Sequence, residues 1–316
     1  MEMFPELMAA PIIRAKSRRL LPYPGSKGWF IPTLLKNLQG CRHNLIEPFA
    51  GSAVCGLAAL ESNSIDELVL VEKNTRLAHF WKTVFTDDTF AERVLAFPLK
   101  FDGPTKEVER HGKKFRIIAA DEENRARVLA AVDNQNDIAL GVLLAANASF
   151  NGLSSSKNVS LTGAGWPIET SCMRHTCVQQ KGTYMGVAST LNLPFFAQRI
   201  RQYRALHSRV SVIQGDGLVA LLSFPNHFAF VDPPYVAAGA GFYVDMQIDH
   251  AALLNALAAR PAPWLATYDV HPLIMELVKK LGLAAAERSV RTVSNTHKPE
   301  LIIAPSPEYL SSLAVL

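Results

Sequence analysis

The residues Phe230-Val231-Asp232-Pro233-Pro234-Tyr235 close an apolar run, His227 to Val231, that reads as a short buried strand. Two prolines stop any helix or ladder from continuing, so an acid and an aromatic are held in a rigid turn at a strand's carboxyl end. Asp232 can accept a hydrogen bond from a planar amino group. The carbonyl of Pro233 can accept a second, because proline keeps its acceptor. Two acceptors on one NH2 would draw its nitrogen toward a tetrahedral shape and turn the lone pair outward, while Tyr235 would stack on the ring that carries the amine. An amine held in this way can attack an activated methyl group without first losing a proton. Alone, Asp-Pro-Pro is also an ordinary turn, so the elements around it carry the decision.

Those elements read as an α/β sheet. Leu21-Pro22-Tyr23-Pro24-Gly25-Ser26-Lys27-Gly28 leads into an amphipathic helix through about Leu38. Backbone N–H groups there, together with Lys27, would suit an anion such as a carboxylate. Asn44 to Glu47 is a first strand, followed by the loop Pro48-Phe49-Ala50-Gly51-Ser52-Ala53 and a small-residue helix, Val54 to Glu61. A one-glycine loop at this position fits a nucleoside better than a dinucleotide pyrophosphate. A second strand, Leu68 to Val71, ends at Glu72, at the spacing where an acid grips ribose hydroxyls. A helix from Asn74 to about Phe85 follows.

The strand pattern resumes at Val210 to Ile213, ending in Gln214-Gly215-Asp216-Gly217, where Asp216 could bond an adenine amino group. After Tyr235, residues Ala237 to Val244 read as a mobile lid. A helix capped by Asp249 runs to Ala259. Trp264 to Tyr268 is a strand and Pro272 to Leu281 a helix. A closing hairpin, Arg288 to Val293 and Leu301 to Ala304, is joined by a polar loop from Ser294 to Glu300.

Between these halves the sheet pattern is absent. Charged helices are expected at Asp121 to Ala131 and Ile138 to Ala148, then Ser149-Phe150-Asn151-Gly152-Leu153 and a polar stretch from Ser154 to Thr190. A stretch of that length is a binding element or an inserted subdomain. Its Lys157, Arg174, His175 and Lys181, interleaved with Trp166 and Tyr184, fit a nucleic-acid surface; a solvated insertion has the same composition. Arg199, Arg201, Arg204 and Arg209 do not share a helix face, so most are expected in solvent, with some free to meet phosphates. The N-terminal residues 1–20 read as a loose arm.

The chain has 316 residues, 49% of them hydrophobic, and a net charge of +4, which permits a polyanionic partner without requiring one. Its four cysteines, Cys41, Cys55, Cys172 and Cys177, form no CxxC pair. Cys172, His175 and Cys177 lack a second ligand cluster, so no metal is expected. Neither a membrane helix nor a signal pattern is visible, which makes the expected location cytoplasmic.

With Tyr23-Pro-Gly-Ser-Lys27, Glu47-Pro-Phe-Ala-Gly-Ser52, Glu72, Phe150-Asn-Gly-Leu153 and Asp232-Pro-Pro-Tyr235 in this order, the chain resembles the Dam-type DNA adenine-N6 methyltransferases over roughly residues 20 to 305. The resemblance implies the class I S-adenosyl-L-methionine-dependent fold, a Rossmann-like, mostly parallel seven-stranded sheet with a closing antiparallel hairpin. It implies a catalytic domain of residues 21–85 and 191–316 and a target-recognition insertion of residues 86–190. It further implies transfer of a methyl group from S-adenosyl-L-methionine to N6 of an adenine flipped out of double-stranded DNA.

By the same resemblance, Tyr23 packs on the cofactor, Gly25 lies near its methionine carboxylate, and Lys27 either lies there too or stabilises the site. Glu47, Phe49, Gly51 and Ser52 line the methionine half, Glu72 and Asn74 the ribose end, and Asp216 the adenine. Asp232, Pro233, Pro234 and Tyr235 hold the target amine next to the cofactor, and Phe150, Asn151, Gly152, Leu153 and Lys157 meet DNA. Tyr243 and the Asp249-His250 helix start resemble the segment after the catalytic loop. A bacterial nucleoid or a phage-infected cell would be the setting, with a second copy of the chain or a cognate restriction endonuclease as further partners.

Three departures bear on this. Tyr23 stands where the family usually has tryptophan, and Ala53 where it often has a second glycine. Ser154-Ser155-Ser156 follow Phe-Asn-Gly-Leu, where Dam itself has an arginine that reads the target, so a GATC site is not implied. The same turn would serve an amine in RNA or a protein amide. A DNA-binding regulator without turnover is the remaining alternative.

Overall fold

The computed structural model describes residues 19–22, 26–39, 43–100, 105–110, 113–148, 191–236, 248–291 and 297–311. Tyr23, Gly25, Phe150 to Leu153, Lys157, Cys172 to Cys177, Tyr243 and the expected lid from Ala237 to Val244 lie outside the described residues.

The first half alternates strands and helices: α1 (Ile31–Asn37), β1 (His43–Glu47), α2 (Val54–Glu61), β2 (Ile65–Glu72) and α3 (Thr75–Thr86). α4 (Phe90–Leu95), a hairpin of β3 (Thr105–Arg110) and β4 (Lys113–Ile118), α5 (Ala119–Asp133) and α6 (Ile138–Ala148) follow. The second half holds α7 (Leu193–Arg204), β5 (Val210–Gln214), α8 (Gly217–Ser223), β6 (Phe228–Val231), α9 (His250–Ala258), β7 (Trp264–Asp269), α10 (Pro272–Leu281), β8 (Ala284–Arg291) and β9 (His297–Ala304).

One seven-stranded sheet has the order β5-β2-β1-β6-β7-β9-β8. Only β9 runs against its neighbours; the others are parallel. The fold is Rossmann-like α/β. From β1 the chain steps outward to β2 and β5, then returns to place β6 on the other side of β1. The crevice where ligands bind such a sheet lies at that reversal, at the carboxyl ends of β1 and β6.

Strand residues alternate strictly between two cores. Leu45, Leu68, Leu70, Phe228, Phe230, Leu265 and Ile302 face a core shared with α1 to α4, α6 and α7. Ile46, Val69, Val71, Ala229, Val231, Ala266, Tyr268 and Ile303 face one shared with α8, α9 and α10. Burying both faces is why β6 reads as an unbroken apolar run and β7 is buried along its whole length.

Several boundaries differ from the sequence reading. β8 begins at Ala284, not Arg288, and β9 begins at His297, so Glu300 is a strand residue rather than part of a loop. The β3–β4 hairpin had no counterpart in the reading; its alternation is carried largely by charged residues. α6 carries no charge and is buried along its length. Of the segment 86–190, the part formed by α4, α5 and α6 contributes to the same core as β1 and β2. Asn147 on α6 donates from Nδ2 to the carbonyl of Leu20 at 2.9 Å, tying this segment to the stretch that leads to Lys27.

Of the four arginines expected mostly in solvent, Arg201 is exposed, Arg204 and Arg209 are partly exposed, and Arg199 is buried. Arg199 is buried and paired with Glu61 at 2.7 Å and with the Tyr203 hydroxyl. Arg201 pairs with Glu92 and Arg204 with Asp88, while Arg209 donates to the carbonyls of Asp66 and Ile65. A cation that must enter a core takes an acid with it, because an unpaired one is too costly to desolvate.

Candidate active site

Acids end three neighbouring parallel strands or follow them directly: Glu47 on β1, Glu72 on β2 and Asp232 after β6. Glu47 and Glu72 fall on the alternation that faces α1 to α3, and so do Thr267 on β7 and Glu300 on β9. β9 runs antiparallel with Glu300 opposite Asp269, so the start of β9 meets the end of β7. Four chain-distant polar residues thereby reach one edge of one face.

At the centre is an ion cluster. Lys27 Nζ lies 3.1 Å from Asp232 Oδ1 and 3.5 Å from Glu300 Oε2, and the lysine side chain is only 3% exposed. Thr267 donates its hydroxyl to Asp232 Oδ1 at 2.6 Å. The Tyr235 hydroxyl donates to Glu300 Oε2 at 2.6 Å and lies 3.3 Å from Asp232 Oδ1. Among the described residues every donor to Asp232 converges on Oδ1, leaving Oδ2 for an incoming group. Burial pushes the Glu300 carboxyl up, against the pull of Lys27 and Tyr235, and pushes the Tyr235 phenol well above its usual range.

This geometry revises two expectations. Lys27 faces two carboxylates of its own chain, so its charge is already engaged rather than offered to an outside anion. The Tyr235 ring lies under Lys27 Nζ at 4.8 Å and stacks on Tyr268 with centroids 6.1 Å apart, so in this conformation it walls the cluster. Pro233 and Pro234 are buried. Thr267 and Glu300 escaped the sequence reading.

The nucleoside side is built from backbone. Glu72 Oε2 accepts from Gly51 N–H at 3.0 Å and Oε1 from Asn74 N–H at 2.9 Å, yet burial outweighs these bonds and raises its carboxyl. Gly51 takes a left-handed φ of 47°, and its carbonyl accepts from the indole of Trp81 at 2.9 Å. Ala53 is also left-handed, at φ 49°. Asn74 caps α3 with its side chain, and Asp216 caps α8 through Oδ1 while Lys73 approaches Oδ2 at 3.5 Å. The Ser52 hydroxyl meets that of Ser26 at 3.2 Å.

Phe49 was expected at the methionine half. Its ring lies against Gly217, where a Cβ would come within 2.9 Å of it and 2.3 Å of the Pro48 carbonyl. That contact puts Phe49 on the Asp216 side.

Glu47 sits between the two groups. Its Oε1 accepts from Gly56 N–H at 2.6 Å, while Oε2 is buried with no described partner. Burial above all, reinforced by Asp232, pushes this carboxyl up to about 8, so it is largely protonated at neutral pH. A carboxyl in that state, at the switch point of the sheet, is tuned to receive a cationic group. The described residues contain no group of acids, histidines and cysteines able to hold a metal ion, and no single helix long and apolar enough to cross a membrane.

Compared with known proteins, the chain matches no family model and no curated sequence.

Proposed function

We propose that the chain is an S-adenosyl-L-methionine-dependent methyltransferase acting on N6 of adenine in double-stranded DNA. The observation that carries this reading is the state of Asp232. Among the described residues Lys27 and Thr267 hold one oxygen, Oδ1, and none bonds Oδ2, while the side chain keeps 23% of its surface exposed after β6, beside β1. The strand order, with one antiparallel strand set between β7 and β8, supports it because this is the arrangement the resemblance implies.

The residues present fit the cofactor. Glu47, with its unsatisfied buried Oε2, suits the methionine ammonium; Glu72, with lone pairs beyond its two backbone bonds, suits the ribose; Asp216 and Phe49 flank the adenine end. When bound, the sulfonium supplies an already activated methyl group. Asp232 Oδ2 and the Pro233 carbonyl orient the amine toward it, and the carboxylate stabilises positive charge developing on the nitrogen. Lys27 and Thr267 fix the rotamer of Asp232.

The test is methyl transfer from labelled cofactor to a panel of double-stranded DNA, single-stranded DNA, RNA and protein, with nucleoside mass spectrometry of the product. Label in N6-methyladenine from DNA, lost in Asp232→Ala, is the expected outcome. Transfer to RNA or a protein amide would move the substrate class, and cofactor binding without turnover on any acceptor would leave a regulator.

A further inference from the structure

We propose that Glu300 is a positioning residue of this site, which takes the Tyr235 hydroxyl and a share of the Lys27 ammonium so that one oxygen of Asp232 stays open to the substrate amine. The inference rests on the function proposed above and assigns a role to a strand that function does not otherwise use. The Tyr235 hydroxyl has one proton and two carboxylates within reach, and the 2.6 Å contact to Glu300 against 3.3 Å to Asp232 places that proton toward Glu300. Lys27 is shared between the same two carboxylates but leans the other way, 3.1 Å from Asp232 and 3.5 Å from Glu300.

With Glu300 neutral or absent, Asp232 is the one carboxylate of this cluster still within reach of both donors. Lys27 then bridges the two oxygens of Asp232, because a buried ammonium moves to the remaining charge rather than stay uncompensated. The ammonium would occupy the place the amine needs. Glu300 reaches this position only because β9 is antiparallel, which brings its fourth residue to the carboxyl edge of the parallel strands.

Two measurements test this, the first without cofactor. Melting temperatures of Asp232→Asn, Glu300→Gln and the double variant form a cycle. The double variant should melt roughly 10 °C below the value expected from adding the single effects, since the buried Lys27 then has neither carboxylate, and adding Lys27→Met should recover most of that loss. The second is single-turnover methyl transfer. Glu300→Gln should slow it about 10- to 100-fold with cofactor affinity changed less than about threefold, and Lys27→Met placed on Glu300→Gln should restore part of the rate.

Additive losses with no rescue would mean that the two carboxylates do not share Lys27, and that result overturns the proposal. Coupled melting with an unchanged Glu300→Gln rate overturns the positioning role alone, provided Asp232→Ala is inactive. A wild-type protein that transfers no methyl group to any acceptor, while the melting cycle still couples, removes the proposed function and the positioning role with it.

Discussion

Replacing Glu47 by glutamine isolates the electrostatic state of the middle of the site. Burial moves this carboxyl from 4.5 to about 8. Between those values the folded protein holds a proton that the unfolded chain has already lost, so stability falls as pH rises through the window. Each pH unit costs about 1.4 kcal/mol, which bounds the full effect near ~5 kcal/mol, and relaxation around the charge brings the expected loss to ~2–5 kcal/mol. Glutamine keeps an acceptor for the Gly56 N–H and has no proton to release. Urea denaturation of both proteins from pH 5 to 9 gives the difference directly; Glu72 and Glu300, whose carboxyls are also raised, are present in both and largely cancel. Wild-type stability relative to Glu47→Gln should decline steadily and level off above about pH 8. A difference that stays flat would refute the reasoning, because Glu47 would then ionise without penalty. Under the proposed function, S-adenosyl-L-methionine binding at pH 7 should expel most of this proton. Calorimetry in buffers of different ionisation enthalpy reads that release, and the glutamine variant should lack it.

Three further substitutions probe the surroundings. Glu72→Ala strips the acceptor from the N–H groups of Gly51 and Asn74, so it should cost ~1–3 kcal/mol in chemical denaturation and weaken cofactor binding about tenfold or more by calorimetry; unchanged affinity would take Glu72 off the ribose. Ala53→Gly relieves a left-handed alanine and should raise stability by ~0.5–1 kcal/mol net of the extra freedom glycine gives the unfolded chain, read as a higher urea midpoint. Arg199→Met leaves Glu61 without its buried partner and should lower stability by ~3–5 kcal/mol while DNA affinity per folded molecule stays the same; a loss of DNA affinity at full stability would mean that Arg199 meets phosphate after all.

What could be read from the chain beforehand follows from strand direction. In a parallel sheet each strand is an apolar run, and its last residue lies at the ligand-binding edge. Glu47, Glu72 and Asp232 were therefore visible, since each acid closes such a run. Glu300 opens one, ahead of Leu301-Ile302-Ile303, and in a sheet assumed parallel that position belongs to the far edge. Reversal of β9 exchanges the two edges, so an acid that precedes the last run comes to lie beside acids that follow the others. Thr267 lies inside a buried run between Ala266 and Tyr268, where a hydroxyl leaves no periodic mark; only its partner, Asp232, identifies it. The arginines of α7 were read as solvated because they do not share a face. That holds for Arg201, which stays exposed beside Glu92 of α4, but Arg199 is buried against Glu61 of α2, a partner that no local pattern encodes. Lys27 shows the same limit from the other side. Its loop advertises an anion site, but the anions that answer it are Asp232 and Glu300, brought from the other end of the chain by the reversal at β1 and β6 and by the antiparallel β9. The cluster is thus a product of topology, and its chemistry should be sensitive to changes that shift β9 against β7 even where no residue of the Asp-Pro-Pro-Tyr turn is altered.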